Sequence, residues 1–210
     1  MPTATHDSKK RFLDAALGVI RAKGYAATRV EDVCEAAGLT KGSFFHHFES
    51  KEDLALSAAA YWGEMTASLF AVAAYRSLPG PVERLLGYID LRKALLMGEL
   101  KDFTCLVGTM VQEVYATHPP IREACEKSIW DHAGTLEADI AEAMQAREIA
   151  DGKRFPFTAH SLALHTQAVI QGSFVLAKAH GGAEVAGESI DHLRRYLEML
   201  FIPNSNKETP

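Results

Sequence analysis

The sequence predicts an all-α protein of about nine helices, a three-helix N-terminal unit followed by a larger helical body. Three observations carry this. Apolar residues recur at the helical period along nearly the whole chain, and no segment shows the two-residue alternation of a strand. The breaks between periodic runs fall at Gly, Pro and capping residues. Charge is also divided along the chain: residues 1–51 hold 8 basic and 6 acidic side chains, residues 52–210 hold 14 and 21.

Each element has its own signal. Phe12, Ala15, Ala16, Val19 and Ile20 form one apolar helical face, which Gly24 ends. Thr28-Arg29-Val30-Glu31 reads as a capping box opening a short helix that stops at Gly38. Thr40 can cap a helix from Lys41 to about His47. Ser50 can cap a fourth, with Glu52 and Asp53 in its first turn and Leu54, Ala58, Tyr61, Met65 and Leu69 along one face, running to about Ala73. Leu78-Pro79-Gly80-Pro81 breaks the chain, and Val82, Leu85, Leu86 and Ile89 resume the helical spacing. Phe103, Leu106, Val107, Met110, Val111 and Val114 give another helix, and His118-Pro119-Pro120 another break. Ile121, Cys125, Ile129, Leu136, Ile140 and Met144 read as one long helix. After the loop Asp151-Gly152-Lys153-Arg154, Pro156 suits the start of a helix over 157–180, and a last one follows over 184–201. Residues 204–210 read as a frayed tail.

Composition narrows the chemistry. With 210 residues, 48% of them hydrophobic, the chain can bury a sizeable core. Its net charge of −5 excludes a uniformly basic nucleic-acid coat but leaves room for a local basic patch. Cys34, Cys105 and Cys125 form no C-x-x-C pair, so neither a disulfide framework nor a zinc ribbon is indicated. Free thiols, and an N-terminus without an apolar secretory core, fit the cytoplasm. Cys105, inside an apolar run with Lys101 and Asp102 offsetting each other nearby, reads as a small buried hydrophobe rather than a reactive thiol. Leu54 to Tyr75 carries one charge, but its alanines and serines suit a soluble helix better than a membrane span. His160 and His165 sit five apart, which is off a common helical face, and no H-E-x-x-H, P-loop or nucleophile elbow occurs. No metal, cofactor or catalytic residue is therefore expected, and an enzyme is disfavoured.

Two short capped helices joined by Ala37-Gly38-Leu39-Thr40 make a helix-turn-helix pattern. By spacing alone this is either a DNA reader or an ordinary helical hairpin. In a DNA reader the first turn of the second helix faces base edges: here Thr40, Lys41, Gly42 and Ser43. Lysine can donate to guanine, serine and threonine can donate or accept, and glycine permits close approach.

The string Thr28–Lys51, TRVEDVCEAAGLTKGSFFHHFESK, resembles the DNA-binding domain of the TetR family of bacterial transcription regulators. It carries the AAG-hydrophobic-Thr-Lys-Gly-Ser turn and then an aromatic-x-His-Phe-x-Ser-Lys run. The resemblance covers about residues 8–70 well and the downstream helices more loosely. It implies a helix-turn-helix domain over 1–53 and a ligand-binding and dimerisation domain over 54–203. It further implies that Thr28, Arg29 and Lys51 meet phosphates, and that Lys41 and Ser43 face bases. His46 and His47 would lie near backbone or base edges. Phe45 occupies a position usually held by a phosphate-binding tyrosine. Either that hydrogen bond is absent, or Phe45 packs against sugar and thymine methyls.

The resemblance also implies a homodimer through the last two helices, a palindromic double-stranded operator and a small-molecule effector. Ile190, Leu193, Leu197 and Leu200 form a 3-4-3 seam, read either as a dimer interface or as closure of the chain's own core. Gly172 and Ser173 would let another helix approach. Trp62, Met65, Phe103, Met110 and Trp130 could line a mainly apolar pocket, with Glu113, His165 and Gln171 as polar anchors. Together these predict a repressor that an effector releases from DNA, with a ligand-independent DNA-binding dimer or a helical small-molecule carrier or enzyme as alternatives.

Overall fold

The computed structural model describes residues 3–152 and 154–203; the expected tail at 204–210 lies outside the described residues. Among the described residues there are eleven α-helices, one 3-10 turn and no strand. They are α1 (Thr3–Lys23), α2 (Val30–Ala37), α3 (Lys41–His47), α4 (Lys51–Ala71), the 3-10 turn Ala74–Ser77, α5 (Pro81–Ala94), α6 (Leu100–Phe103), α7 (Leu106–Val114), α8 (Pro119–Gly134), α9 (Glu137–Asp151), α10 (Ala159–His180) and α11 (Glu184–Phe201).

Two of the nine expected helices are each divided. The run from Phe103 to Val114 breaks at Thr104, whose hydroxyl donates to Leu100 O at 2.7 Å while its backbone turns extended. Cys105 then caps α7, its sulfur accepting from Gly108 N at 3.4 Å. The expected long helix from Ile121 to Met144 breaks after Gly134, where the Thr135 hydroxyl donates to His132 O at 2.7 Å. Ala133, Leu136 and Ile140 stay buried on both sides of that break, so apolar spacing could not reveal it.

The capping box also shifts by one residue. Arg29 caps α2, and the Asp32 carboxylate accepts from Arg29 N at 2.7 Å. Thr28 instead turns inward: it is 1% exposed and its hydroxyl donates to Gly24 O at 2.6 Å. Gly24 (φ +87°) and Gly38 (φ +62°) both hold left-handed conformations, in which an L side chain would be strained. Ser50 does cap α4, accepting from Asp53 N at 3.1 Å. The last segment before α10 is capped by Thr158, two residues beyond Pro156, and Thr158 Oγ1 accepts from Ser161 N at 3.1 Å.

The chain folds as two compact units. One comprises the chain up to Phe70 together with Gly98–Ile129; the other comprises Ala71–Met97 and the chain from Trp130 onward. In the first, α1 packs against α2, α3, α6 and α7. Phe12 meets the rings of Phe44 and Phe48 edge-on at 5.6 and 6.1 Å, and all three are buried. Truncating such a fully buried aromatic costs about 3–5 kcal/mol. In the second, α5, α9, α10 and α11 form a bundle.

The terminal seam belongs to that bundle's own core. Ile190, Leu193 and Leu197 are 1%, 3% and 2% exposed within a single chain, and Ser173 is buried with its hydroxyl donating to Ile170 O. These residues are therefore not a surface for a second copy. The 3-4-3 spacing marks the inner face of α11, and the spacing of a self-packed helix and of a dimer seam is the same. Leu200 is half-buried and Gly172 is exposed with open space at its Cβ position.

Candidate nucleic-acid interface

The turn between α2 and α3 is fixed by the backbone. Gly38 N–H donates to Glu35 O and Leu39 N–H to Cys34 O, both at 3.0 Å. Arg11 of α1 donates to Ala37 O at 2.7 Å, tying the turn to the first helix. Thr40 then caps α3, accepting from Ser43 N at 3.2 Å. Phe44 and Phe48 anchor α3 inward. The opposite side, with Thr40, Lys41, Gly42, Phe45 and His46, is exposed, and Ser43 is half-buried beside it.

Gly42 is informative because the fold does not need it. Its φ is not positive, and a Cβ there would meet only Thr40 Oγ1, at an ordinary 3.8 Å. A helical glycine with room for a methyl lowers helix stability and benefits nothing inside the chain. Nothing inside the chain therefore requires a glycine at this exposed position.

Lys41 donates to Glu31 at 2.7 Å, and each side chain is 58% exposed. This contact holds the Glu31 carboxyl below the usual range. An exposed pair of this kind is worth little, so Lys41 can exchange it readily for another acceptor. Phe45 is 53% exposed, with the Lys41 ammonium 6.0 Å from its ring centre. His46 is exposed; His47 is half-buried, its Nε2 at 2.7 Å from the Ser8 hydroxyl. Burial, then the neighbouring His46 and Lys9, push His47 down from the ordinary histidine value.

Two residues expected at phosphates have internal work instead. Thr28 has its hydroxyl buried, as above. Lys51 is half-buried, donates to Tyr25 O at 3.1 Å and Thr28 O at 3.0 Å, and lies 4.3 Å from the Tyr25 ring centre. It clasps the α1–α2 connection to the start of α4. Arg29 keeps an exposed guanidinium, paired with Asp32 at 3.1 Å. Lys23 and Arg29 together hold the Asp32 carboxyl far below the usual carboxylate range.

The expected pocket residues are divided between the two units: Trp62, Met65, Phe103, Met110 and Glu113 in the first, Trp130, His165 and Gln171 in the second. Phe103 and Met110 are buried in the first unit's core, Trp62 lies under the Arg21 guanidinium at 5.0 Å, and Met65 is 40% exposed. Glu113 packs on the α1–α2 connection: its carboxylate accepts from Ala26 N at 2.8 Å and lies against Gly24, where a side chain would collide with it. In the second unit Trp130 is 47% exposed, His165 is exposed against the Tyr196 ring at 5.6 Å, and Gln171 is half-buried. Cys105 and Cys125 are both buried, and burial pushes the Cys125 thiol up to about 12.

Sequence reasoning missed a buried polar group in the second unit. Gln167 Nε2 donates to the Tyr88 hydroxyl at 2.9 Å, and that hydroxyl lies 3.0 Å from His132 Nε2. Burial, then Arg92 and Arg76, push His132 down to about 3. Among the described residues no cluster of three or more His, Cys, Asp or Glu could hold a metal, and no helix is long and apolar enough to cross a membrane.

An exposed, capped α3 following α2 after a glycine turn is a helix-turn-helix arrangement, the layout of one large class of DNA-binding proteins. Residues 12–58 match the model of bacterial regulatory proteins of the tetR family, and residues 81–193 match the tetracyclin repressor-like C-terminal domain. The chain belongs to the TetR family of transcriptional regulators. It is 25% identical over 178 residues to the HTH-type transcriptional regulator YxaF of Bacillus subtilis, covering 83% of this chain and 87% of that protein. It is 37% identical over 57 residues to the regulator YerO of the same organism, a match of 27% of this chain and 20% of YerO. A TetR transcriptional regulator from Chloroflexus aurantiacus superposes with a TM-score of 0.75 at 27% identity, over 92% of this chain and 95% of that one. These relatives are transcription regulators rather than enzymes.

Proposed function

We propose that this regulator represses transcription as a cytoplasmic homodimer on a palindromic operator, and that a small-molecule effector releases it. The observation that carries the DNA-facing half is the exposed first turn of α3, in which Lys41 is loosely held and Gly42 leaves the backbone bare. Residues 1–53 read DNA; residues 54–203 bind effector and partner. Lys41 and Ser43 meet base edges, Thr40 and Arg29 the flanking backbone, and Phe45 and His46 the groove wall; His47 is reached only by releasing Ser8.

The dimer surface in this reading is the outer side of the last two helices. On α10, Ala168, Gly172, Val175, Leu176 and Ala179 share one exposed face, opposite buried Ile170 and Phe174. On α11, Met199 is 70% exposed and shares its side with His192 and Arg195. Two heads on one two-fold axis match two half-sites about one helical turn apart. Effector control is then linkage: a ligand that favours a mismatched head spacing weakens DNA binding by the factor by which DNA weakens ligand binding. Within the first unit, Glu113 at Ala26 and Arg21 at Asp102 O and Thr104 O (3.2 and 3.4 Å) tie α1 to α6 and α7. They give that linkage a physical route besides α4.

The test is selection of bound duplexes from random DNA, followed by affinity measurement over a range of salt. A palindromic consensus and an affinity that falls with salt are expected, because cations on phosphates release counterions. Equal affinity for selected and shuffled duplexes would end the sequence-specific reading. Lys41→Ala should change which bases are preferred, at about 1–3 kcal/mol per good base contact.

A further inference from the structure

We propose that Lys9 of α1 seats a phosphate of the DNA backbone where the start of α1 meets the end of α3, a contact outside the helix-turn-helix itself. This rests on the DNA-reading head above and adds a group that holds that head in register on the duplex.

Up to Lys51 the chain holds eight lysines and arginines, and seven of them are engaged internally. Lys10 pairs with Asp14, Lys23 and Arg29 with Asp32, and Lys41 with Glu31. Arg11, Arg21 and Lys51 donate to backbone carbonyls. Lys9 is exposed and, among the described residues, makes neither an ion pair nor a hydrogen bond; its ammonium lies 5.6 Å from the centre of the Phe48 ring. Asp7, two residues before it, lies on another side of the helix. A phosphate can therefore take this ammonium without breaking a bond inside the protein. Thr28 and Lys51, expected at phosphates, would first have to leave their internal acceptors.

The position is fixed by the packing of α1 on α3. The Ser8 hydroxyl lies 2.7 Å from His47 Nε2, and the Phe12 ring meets those of His47 and Phe48 edge-on, each at 6.1 Å. Lys9 is thus carried by a helix locked to α3 rather than by a loose arm. The His46 and His47 rings are 5.0 Å apart, and the charges that bear on His47 are His46 and Lys9, with no carboxylate among them. Helix α3 has seven residues, so it is about 10 Å long. The major groove is about 12 Å wide. With the first turn of α3 on base edges, its last turn reaches the edge of the groove, where the phosphates of the strand run. Lys9 stands beside that last turn. A contact there positions the head and carries no sequence information.

The experiment measures binding of the full chain, over a range of salt, to a duplex that wild type selects from random DNA and to a shuffled duplex of the same composition. Lys9→Gln should weaken both alike, by about eightfold per contact at 0.1 M salt, and flatten the log–log salt slope by about 0.9 per contact. Lys9→Arg should restore both affinities. Lys10→Gln removes the same charge one residue on, but from an ammonium already paired with Asp14, and should stay within about twofold of wild type. The free Lys9→Gln protein should melt within about 4 °C of wild type, because only an exposed cation–π contact is lost. The proposal is overturned if Lys9→Gln leaves the salt slope unchanged, or if it weakens one duplex and not the other. It is also overturned if Lys10→Gln weakens binding as much, which would make the effect one of net charge, or if Lys9→Gln melts far lower, which would make Lys9 a structural residue. The shuffled duplex separates the two readings. Equal wild-type affinity for both duplexes ends sequence-specific reading, and the phosphate seat still stands or falls by the slope on the shuffled one.

Discussion

Gly42→Ala should move stability and DNA affinity in opposite directions. Gly42 is the second residue of α3, exposed, with a helical φ and only Thr40 Oγ1, 3.8 Å away, near the added methyl. Alanine is favoured over glycine in a helix by about 0.5–1 kcal/mol, and nothing in the chain opposes it. In a chain of this size that raises the melting temperature by about 1–4 °C. On DNA the same methyl sits where the bare backbone is proposed to meet the duplex. Forcing a methyl into a packed contact costs about 1–3 kcal/mol, or roughly 5- to 150-fold in affinity. The assay pairs thermal unfolding of the free protein with operator binding at one fixed salt concentration, since affinity depends steeply on salt. Operator affinity within twofold of wild type would refute the close approach. A lower melting temperature would refute the claim that the fold has no need of glycine here.

Three further outcomes follow from other parts of the molecule. Glu113→Gln keeps the shape of the clasp on Ala26 N but removes its charge, so it should leave the fold intact and change effector-coupled DNA affinity; titrating effector against a preformed complex reads this, and unaltered coupling rules the clasp out. Val175→Glu with Met199→Glu should yield folded monomers in sedimentation, whereas Leu197→Ala should lower the chain's own stability by about 2–5 kcal/mol; a double variant that stays dimeric places the interface elsewhere. His132, driven down to about 3, is neutral in the folded protein but takes a proton near pH 6.5 when unfolded. The unfolded state therefore binds more protons between those values, so stability falls as pH drops from about 6.5 towards 3, and His132→Gln should flatten that slope in melting curves.

Much of the head could be read in the chain because its determinants are local. Gly24 and Gly38 end helices by conformation, and Thr40 and Ser50 cap the helices that follow them. The Thr28 assignment failed within the same stretch. A threonine and an acidic residue three apart satisfy the capping pattern, yet Asp32 serves Arg29 equally well and Thr28 finds Gly24 O inside. Lys51 shows the same limit: its charge was visible, but the two carbonyls it binds are over twenty residues away.

The sequence by itself determined the helical class, the helix-turn-helix pattern and the inward face of most helices, because periodicity, caps and glycine conformations act within a few residues; on α4 the predicted face fails, since Met65 and Leu69 are 40% and 44% exposed. Only the tertiary structure decided which inward faces meet. Leu193 and Leu197 are spaced as a dimer seam would be, and it is α5 and α10 of the same chain that cover them. Glu113 is one acidic residue among 27 until α7 is packed on α1 and its carboxylate reaches Ala26 N. Tyr88, His132 and Gln167 carry no common spacing, and they become one polar group because the bundle buries them together. Hydrophobic periodicity states that a surface will be covered; the identity of the covering surface depends on long-range packing, which no local pattern encodes.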